Sequence, residues 1–456
     1  MPPPLPLTAD VQQFVRTLRR SRLLPDDRVY ALVAAATDKS RQNLDLFAEA
    51  LVEDQSLTHF QVAKLRQGTW QGLALGPYHV LAPLGRGGMS IVYLARDTRK
   101  VGAANTHGGR ADATLVALKV LPPKRARAED RTLARFLREM DICRRVSHPH
   151  LTKTFEAGEF DGVYYIAMEY IRGQSLWRYV ADHGPISASR AARLFAEIAD
   201  GLAYAHGVGL IHRDLKPSNV MVTPNGHAKI LDLGLALAVD EELPTDKRIV
   251  GGRGYVVGTM DYIAPEQVTD PSRVDGRADL YALGCSMYFA LTGRPPFPGG
   301  TSTEKMRRQR TAIAEPIADF NPTIPAAFVR VVERLMEKSP ARRFPDAAAV
   351  RTALQPWTVG DPETPLDVDP DQTEAEAVSE LERTQGPTES FFESIPVAVF
   401  RDRAKRYSAD SGSATPPAGT RTRRRLPFWP LFAVAAIAVM VIGAGLVWGL
   451  LRLVNQ

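Results

Sequence analysis

An α+β chain is what this sequence predicts, with a strand-rich part followed by a longer helical part, and three observations carry the expectation. From Tyr78 the apolar spacing turns strand-like, and Leu115–Leu121 and Tyr164–Tyr170 are short apolar runs. From there to residue 357 helical spacing prevails, as in Ile186–His206, where Leu194, Ile198 and Leu202 form one apolar stripe. Strands followed by helices, rather than alternating with them, define the α+β class. Ahead of the strands, residues 1–75 read as small helices.

At 456 residues, 45% hydrophobic and 24% charged, the chain has the composition of a packed protein and not of a disordered one. The formal charge of +6 is spread along the chain, and its densest run, Arg421 to Arg425, stands beside a long apolar stretch. That placement favours a membrane surface and argues against a nucleic-acid partner. The two cysteines, Cys143 and Cys285, are far apart in apolar helical contexts and read as reduced core residues, not as a disulfide or zinc framework. Met1 to Asp10 lacks the basic and apolar regions of a secretory signal, so the N-terminus is expected to stay cytoplasmic.

In the N-terminal segment, Val11, Phe14, Val15 and Leu18 follow one helical face. Leu24-Pro25 leads into Val29 and Leu32 at the same offsets at which Leu57-Thr58 leads into Val62 and Leu65, an echo that predicts two similar helices. A helical cap packed on the next domain is the favoured reading over a separate partner-binding module.

Gly85-Arg86-Gly87-Gly88-Met89-Ser90 follows the first strand. Glycines at such a turn let backbone amides approach phosphates with no Cβ in the way. Residues 99–113, rich in Gly, Ala and Thr, interrupt the next hairpin as an exposed insertion with no assigned role. In Leu115–Leu121 a single charge, Lys119, sits in a buried run, where a lysine is costly without a partner. Glu139 is the candidate partner, with Asp141 and Glu129 as alternatives. Further on, Asp232 closes the apolar run Lys229–Leu231 and precedes Gly234, a setting suited to Mg²⁺ between phosphates.

His212-Arg213-Asp214-Leu215-Lys216-Pro217-Ser218-Asn219 resembles the catalytic loop of the protein kinases. Around it, in family order, stand the glycine turn, Lys119, Glu139, Met168-Glu169-Tyr170-Ile171, Asp232-Leu233-Gly234, Ala264-Pro265-Glu266, Asp279 and Arg343. The resemblance covers residues 78–357, is to eukaryotic-type (Hanks-type) serine/threonine kinases, and through the Gly-Gly-Met-Ser turn and the tail span is to their bacterial branch. Two departures stand out: Ser90 replaces the third glycine, and Leu233 replaces the more usual Phe. The leucine preserves an apolar contact.

The resemblance implies a two-lobed fold, a small β-rich lobe and a large helical one. It implies that Asp214 accepts the proton of a substrate hydroxyl, that Lys216 steadies the phosphate, and that Asn219 and Asp232 hold Mg²⁺, with Mn²⁺ as a substitute. ATP would lie against Leu84, Gly85, Arg86, Gly87, Gly88, Met89, Ser90, Val92, Ala117, Lys119 and Met221, its adenine on the backbone of Glu169 and Ile171. Lys119 would pair with Glu139, Glu266 with Arg343, and Asp279 would hold the catalytic-loop backbone. Lys216 and Gly258-Thr259, with Thr259 against Asp214 and Lys216, imply protein serine or threonine substrates. Arg213 implies an activation-loop phosphate, for which Thr245 is the candidate despite the opposing charges of Glu241 and Glu242.

Residues 76–357 therefore form the expected kinase domain. Residues 358–427, rich in Asp, Glu, Pro, Ser and Thr, read as a disordered juxtamembrane linker in which Thr364, Thr373, Thr384 and Thr388 are further acceptor candidates. Leu431–Leu451 carries no charge, and about 20 such residues cross a bilayer as a helix. The span is placed at 428–452, with Trp429 and Trp448 as anchors and the arginine cluster on the cytoplasmic side. Only Arg452–Gln456 would emerge, too short for an external sensor. Gly445 and Gly449 are spaced to let two spans pack as a homodimer. A pseudokinase scaffold is the alternative that Lys119, Asp214, Asn219 and Asp232 together oppose. A transporter lacks an ionisable residue in its single span. Small-molecule phosphotransfer is disfavoured by the Gly258-Thr259 platform.

Overall fold

The computed structural model describes residues 6–86, 90–100, 115–122, 136–137, 140, 146–231, 237–238, 259–270, 273–359, 376–379 and 381. All of them belong to one compact unit, residues 1–395. Gly87, Gly88, Met89, Glu139, Cys143, Asp232, Thr245, Gly258, the arginine cluster and the expected span at 428–452 lie outside the described residues. Among the described residues no helix is long and apolar enough to cross a membrane.

Five helices open the chain: α1 (Ala9–Ser21), α2 (Asp26–Ala35), α3 (Asp38–Gln42), α4 (Leu44–Glu53) and α5 (His59–Arg66). Val11, Phe14 and Leu18 are buried as the spacing predicts, and Val15 is partly buried beside them. The two echoed helices begin where expected, after Pro25 and Thr58, but their starts differ. Thr58 and Gln61 form a reciprocal capping box, which satisfies amides at the start of α5 that Pro25 leaves to other partners.

These helices run directly into a six-stranded antiparallel sheet: β1 (Ala74–Leu75), β2 (Tyr78–Arg86), β3 (Ile91–Asp97), β4 (Leu115–Leu121), β5 (Thr154–Phe160) and β6 (Val163–Glu169), in the order β1-β2-β3-β4-β6-β5. Ala74–Leu75, assigned from sequence to the helical segment, thus form the edge of the sheet. Alternation sorts the side chains. Ala95, Val116, Leu118, Val120, Val163, Tyr165 and Ala167 face outward and share one cluster with Val11, Phe14, Leu18, Phe47 and Leu65 of the helices. The N-terminal segment is therefore a cap on the sheet. On the other face Leu121 and Ile166 pack with Phe136 and Met140. With both faces covered, β4 is buried at every position, Lys119 included, which explains why its other residues are all apolar.

The remainder is mainly helical: β7 (Gln174–Ser175), α6 (Leu176–His183), α7 (Ala188–Gly207), β8 (Leu210–Ile211), β9 (Val220–Val222), β10 (Ala228–Ile230), β11 (Leu237–Ala238), α8 (Pro265–Thr269), α9 (Arg277–Thr292), α10 (Ser302–Thr311), α11 (Ala326–Leu335) and α12 (Ala347–Leu354). Helix α7 starts two residues later than its apolar stripe suggests because Ser187 caps it, its side chain accepting from the amide of Arg190. Helix α9 is buried from Ala278 to Thr292, as befits a central helix, and Cys285 lies wholly inside it as a free thiol. Burial pushes that thiol up to about 12.

One stretch departs from the expected linker. Residues 376–379 and 381 are helical, and Ala377 and Val378 are buried at 1% and 6% exposure. Val378 packs with Leu81, Leu94 and Leu115 of the sheet, and Leu381 packs against the same cluster. Composition hid this because the apolar residues there are few and isolated among acids.

Candidate active site

The segment between α7 and β9 is a loop whose polar groups hold one another. Nζ of Lys216 donates to Oδ2 of Asp214 at 2.7 Å. Nδ2 of Asn219 donates to the backbone oxygen of Asp214 at 2.9 Å and lies 3.5 Å from its Oδ2. The three side chains named from sequence are thus one cluster. Since its amide nitrogen is taken by Asp214, Asn219 turns its side-chain oxygen, the atom a hard cation prefers, the other way.

Buried supports fix this loop from beneath. Asp279 of α9 accepts from the amides of His212 and Arg213, both at 2.8 Å, and from Nε2 of His206 at 2.8 Å. Burial alone would raise its pKa; the hydrogen bonds and the nearby imidazoles prevail and hold it below the usual aspartate range. Arg213 adopts φ 64°, the left-handed region that a side chain avoids, and Gln267 donates to its carbonyl at 2.9 Å. Such a conformation costs about 1–3 kcal/mol and persists only where its surroundings over-determine it. His212 then links the loop to the strand leading to Asp232: its Nε2 donates to the carbonyl of Leu231 at 3.1 Å, while its Nδ1 accepts from the amide of Asp214 at 3.3 Å. The amide of Leu231 also donates to the carbonyl of Asn219 at 2.7 Å.

Lys119 stands on the inner face of β4, 2% exposed, opposite Val92 on β3 and Ile166 on β6. Ala117, on the same face, is paired with Leu94 and Met168. Leu84, Gly85 and Arg86 end β2, and Ser90 is buried just before β3. No described protein atom would lie within 4 Å of a Cβ at Gly85, and its φ is not positive. Packing among the described residues therefore does not demand that glycine. Met221 sits half-buried on β9, paired with Lys229. Thr259 opens a short 3-10 turn, Thr259–Asp261; its side chain lies outside the described residues.

At the end of β6, the Glu169 carboxylate accepts from Nζ of Lys229 at 2.6 and 2.8 Å. The Glu169 side chain is thereby tied to β10. Ile171, two residues on, is 8% exposed. The expected Glu266–Arg343 pair is present: both guanidinium nitrogens meet both carboxylate oxygens, at 2.6 and 2.8 Å.

Sequence reasoning passed over His206, Gln267 and Lys229. Lys229 carried the signal that exposed Lys119, a lysine in an apolar strand. Gln267 could have been sought as the third residue of a helix opened by Pro265. His206 gave no signal, since its partner Asp279 lies on another helix.

A six-stranded antiparallel sheet with a lysine on its inner face, followed by a mainly helical part that holds an Asp-Lys-Asn cluster, is a two-lobed α+β arrangement. The family described as the protein kinase domain matches residues 78–357, more than half of the chain. The chain belongs to the protein kinase domain family. It is 32% identical over 352 residues to the probable serine/threonine-protein kinase PknB of Bifidobacterium longum, covering 72% of this chain and 48% of that one. It is 35% identical over 285 residues to the serine/threonine-protein kinase PknD of Mycobacterium tuberculosis, covering 62% of this chain and 40% of that one. With the serine/threonine-protein kinase pkn3 of Myxococcus xanthus the identity is 34% over 285 residues, covering 61% and 49%. The chain thus spans less than half the length of these relatives.

Proposed function

We propose that this chain is a membrane-anchored serine/threonine protein kinase that transfers the γ-phosphate of ATP to Ser or Thr hydroxyls of proteins and phosphorylates itself. The observation that carries the reading is the Asp214–Lys216–Asn219 cluster, held in place by Asp279. Asp214 orients the incoming hydroxyl and accepts its proton, and Lys216 carries positive charge to the transferring phosphoryl group. Asn219 and Asp232 would hold Mg²⁺, or Mn²⁺ in its place, which when bound would supply charge neutralisation at the phosphates. Lys119, with Glu139 as its partner, fixes the phosphates. The glycine turn gives them backbone amides, and Val92, Ala117 and Met221 enclose the adenine. Most of the acceleration is positioning and charge neutralisation.

Serine or threonine as acceptor is supported by Lys216, by the Gly258-Thr259 pair and by the names of the relatives. Thr245 is the proposed activation-loop acceptor, read by Arg213. Anchoring through 428–452, with the kinase domain on the cytoplasmic side, is supported by the uncharged run Leu431–Leu451 and the arginines before it. Two anchored copies would meet through Gly445 and Gly449.

The test is phosphate transfer from labelled ATP to a generic basic protein by full-length chain in membranes. Asp214→Asn should lower turnover by at least about 100-fold, the size of a general-base contribution, with an unchanged melting temperature. Turnover close to that of the parent, in a folded Asp214→Asn variant, would sink the assignment.

A further inference from the structure

We propose that the small lobe carries a docking site for a short helical segment, that its occupant is the stretch of this same chain holding Ala377, Val378 and Leu381, and that seating this segment braces the adenine side of the nucleotide cleft. One face of β4 shows the arrangement from end to end. Leu121 joins the cluster with Phe136 and Met140; Lys119 and Ala117 come next; Leu115, a single register step of about 7 Å beyond Ala117, joins Leu81, Leu94 and Val378. Leu94 is itself the ladder partner of Ala117. The nucleotide wall thus lies between two apolar clusters, one filled by Phe136 and Met140 and the other by the tail.

Leu84 and Tyr170 pack against the same cluster. Leu84 opens the glycine turn, and Tyr170 stands between Glu169 and Ile171, so both borders of the adenine site rest on the cluster that Val378 completes. This step relies on the nucleotide-site reading given above.

A β-bulge makes the pocket. The β2–β3 ladder pairs Val80 with Ala95 and Ala82 with Leu94, which leaves Leu81 as the extra residue. Val80 lies in the outer cluster while Leu81 joins the inner one beside Val378. A bulge re-aims a side chain in this way. Helix α5 holds the bulge: Oγ1 of Thr58 donates to the carbonyl of Leu81 and Nε2 of Gln61 to that of Val80, each at 2.7 Å. Chain from before and after the kinase domain converges on this one irregularity.

Val378→Asp in the full-length chain tests the proposal, with Val378→Leu as the conservative control and amide exchange at 92–95 and 115–117 as the direct readout of docking. Expected are faster exchange there, an ATP KM raised about 5-fold and a kcat within about 2-fold of the parent, the low end of ordinary coupling between sites. Val378→Leu should match the parent, and a synthetic peptide of residues 374–384 should lower the KM of Val378→Asp. Faster exchange with an unchanged KM overturns the brace, and unchanged exchange overturns the docking. Ala117→Phe separates the two readings: if it leaves the ATP KM unaltered, the nucleotide-site assignment fails, whatever the tail does.

Discussion

Arg343→Lys keeps a positive charge at the centre of the large lobe, and it should nevertheless destabilise the protein severely. The Arg343 side chain is wholly buried. Its Nε donates to the carbonyl of Glu337 at 2.7 Å, Nη1 to Glu266 and to the carbonyl of Arg277 at 2.6 and 2.7 Å, and Nη2 to Glu266 and to the carbonyl of Lys338 at 2.8 and 3.1 Å. The guanidinium also lies 4.8 Å from the centre of the Tyr281 ring. Every donor of the planar fork is therefore used. An ammonium carries three donors against five acceptors, so two buried acceptors go unserved, each at about 1–3 kcal/mol. Loss of the stacked contact adds about 0.5–2 kcal/mol. The sum, roughly 2.5–8 kcal/mol, is a large share of an ordinary stability of about 5–15 kcal/mol. For a domain of this size that corresponds to a fall in melting temperature of roughly 5–30 °C, measurable by circular dichroism or calorimetry. A variant melting within about 2 °C of the parent would refute the claim that donor count, and not charge alone, matters at this site.

Two further predictions concern the supports. A Cβ on Gly276 would lie 2.6 to 3.0 Å from atoms of the His206 ring, which holds Asp279. Gly276→Ala should therefore cost about 1–3 kcal/mol by overpacking and lower kcat, and a variant with parental stability and turnover would show that the ring yields freely. Lys64 of α5 is partly buried, and burial lowers its pKa to about 8. The unfolded chain holds that proton to about 10.4, so between these values the unfolded state binds more protons and stability climbs with pH. Urea midpoints measured from pH 7 to pH 10 should show that rise in the parent and a flatter profile in Lys64→Met; equal slopes would rule Lys64 out as its source.

Local pattern made much of this legible, and its failures have definite physical causes. The strand at 115–121, the stripe of α7 and the cluster at Asp214 follow from spacing and from the cost of burying charge. The bulge at Leu81 does not, because one extra residue leaves the apolar composition of β2 unchanged and matters only through what Thr58 and Gln61 bond. The docking of Val378 was hidden for a related reason: its pocket is assembled from β2, β3 and β4, and a single valine among acidic residues has no period to detect. His206 shows the same limit, since its role rests on Asp279, 73 positions away.

The cap on the sheet has a consequence for how the chain is made. Its cluster joins Val11 of the first helix to Ala167 of the sixth strand, so the first five helices are complete at Arg66, about 100 residues before their last sheet partner exists. At roughly 5–20 residues per second a ribosome needs about 5–20 s to add that length. During that interval the face of the helices destined for the sheet is covered only in part, first by Leu73, Leu75, Tyr78 and Val80 and later by β3 and β4. A segment that later shields the small lobe is thus, early in synthesis, itself only partly shielded.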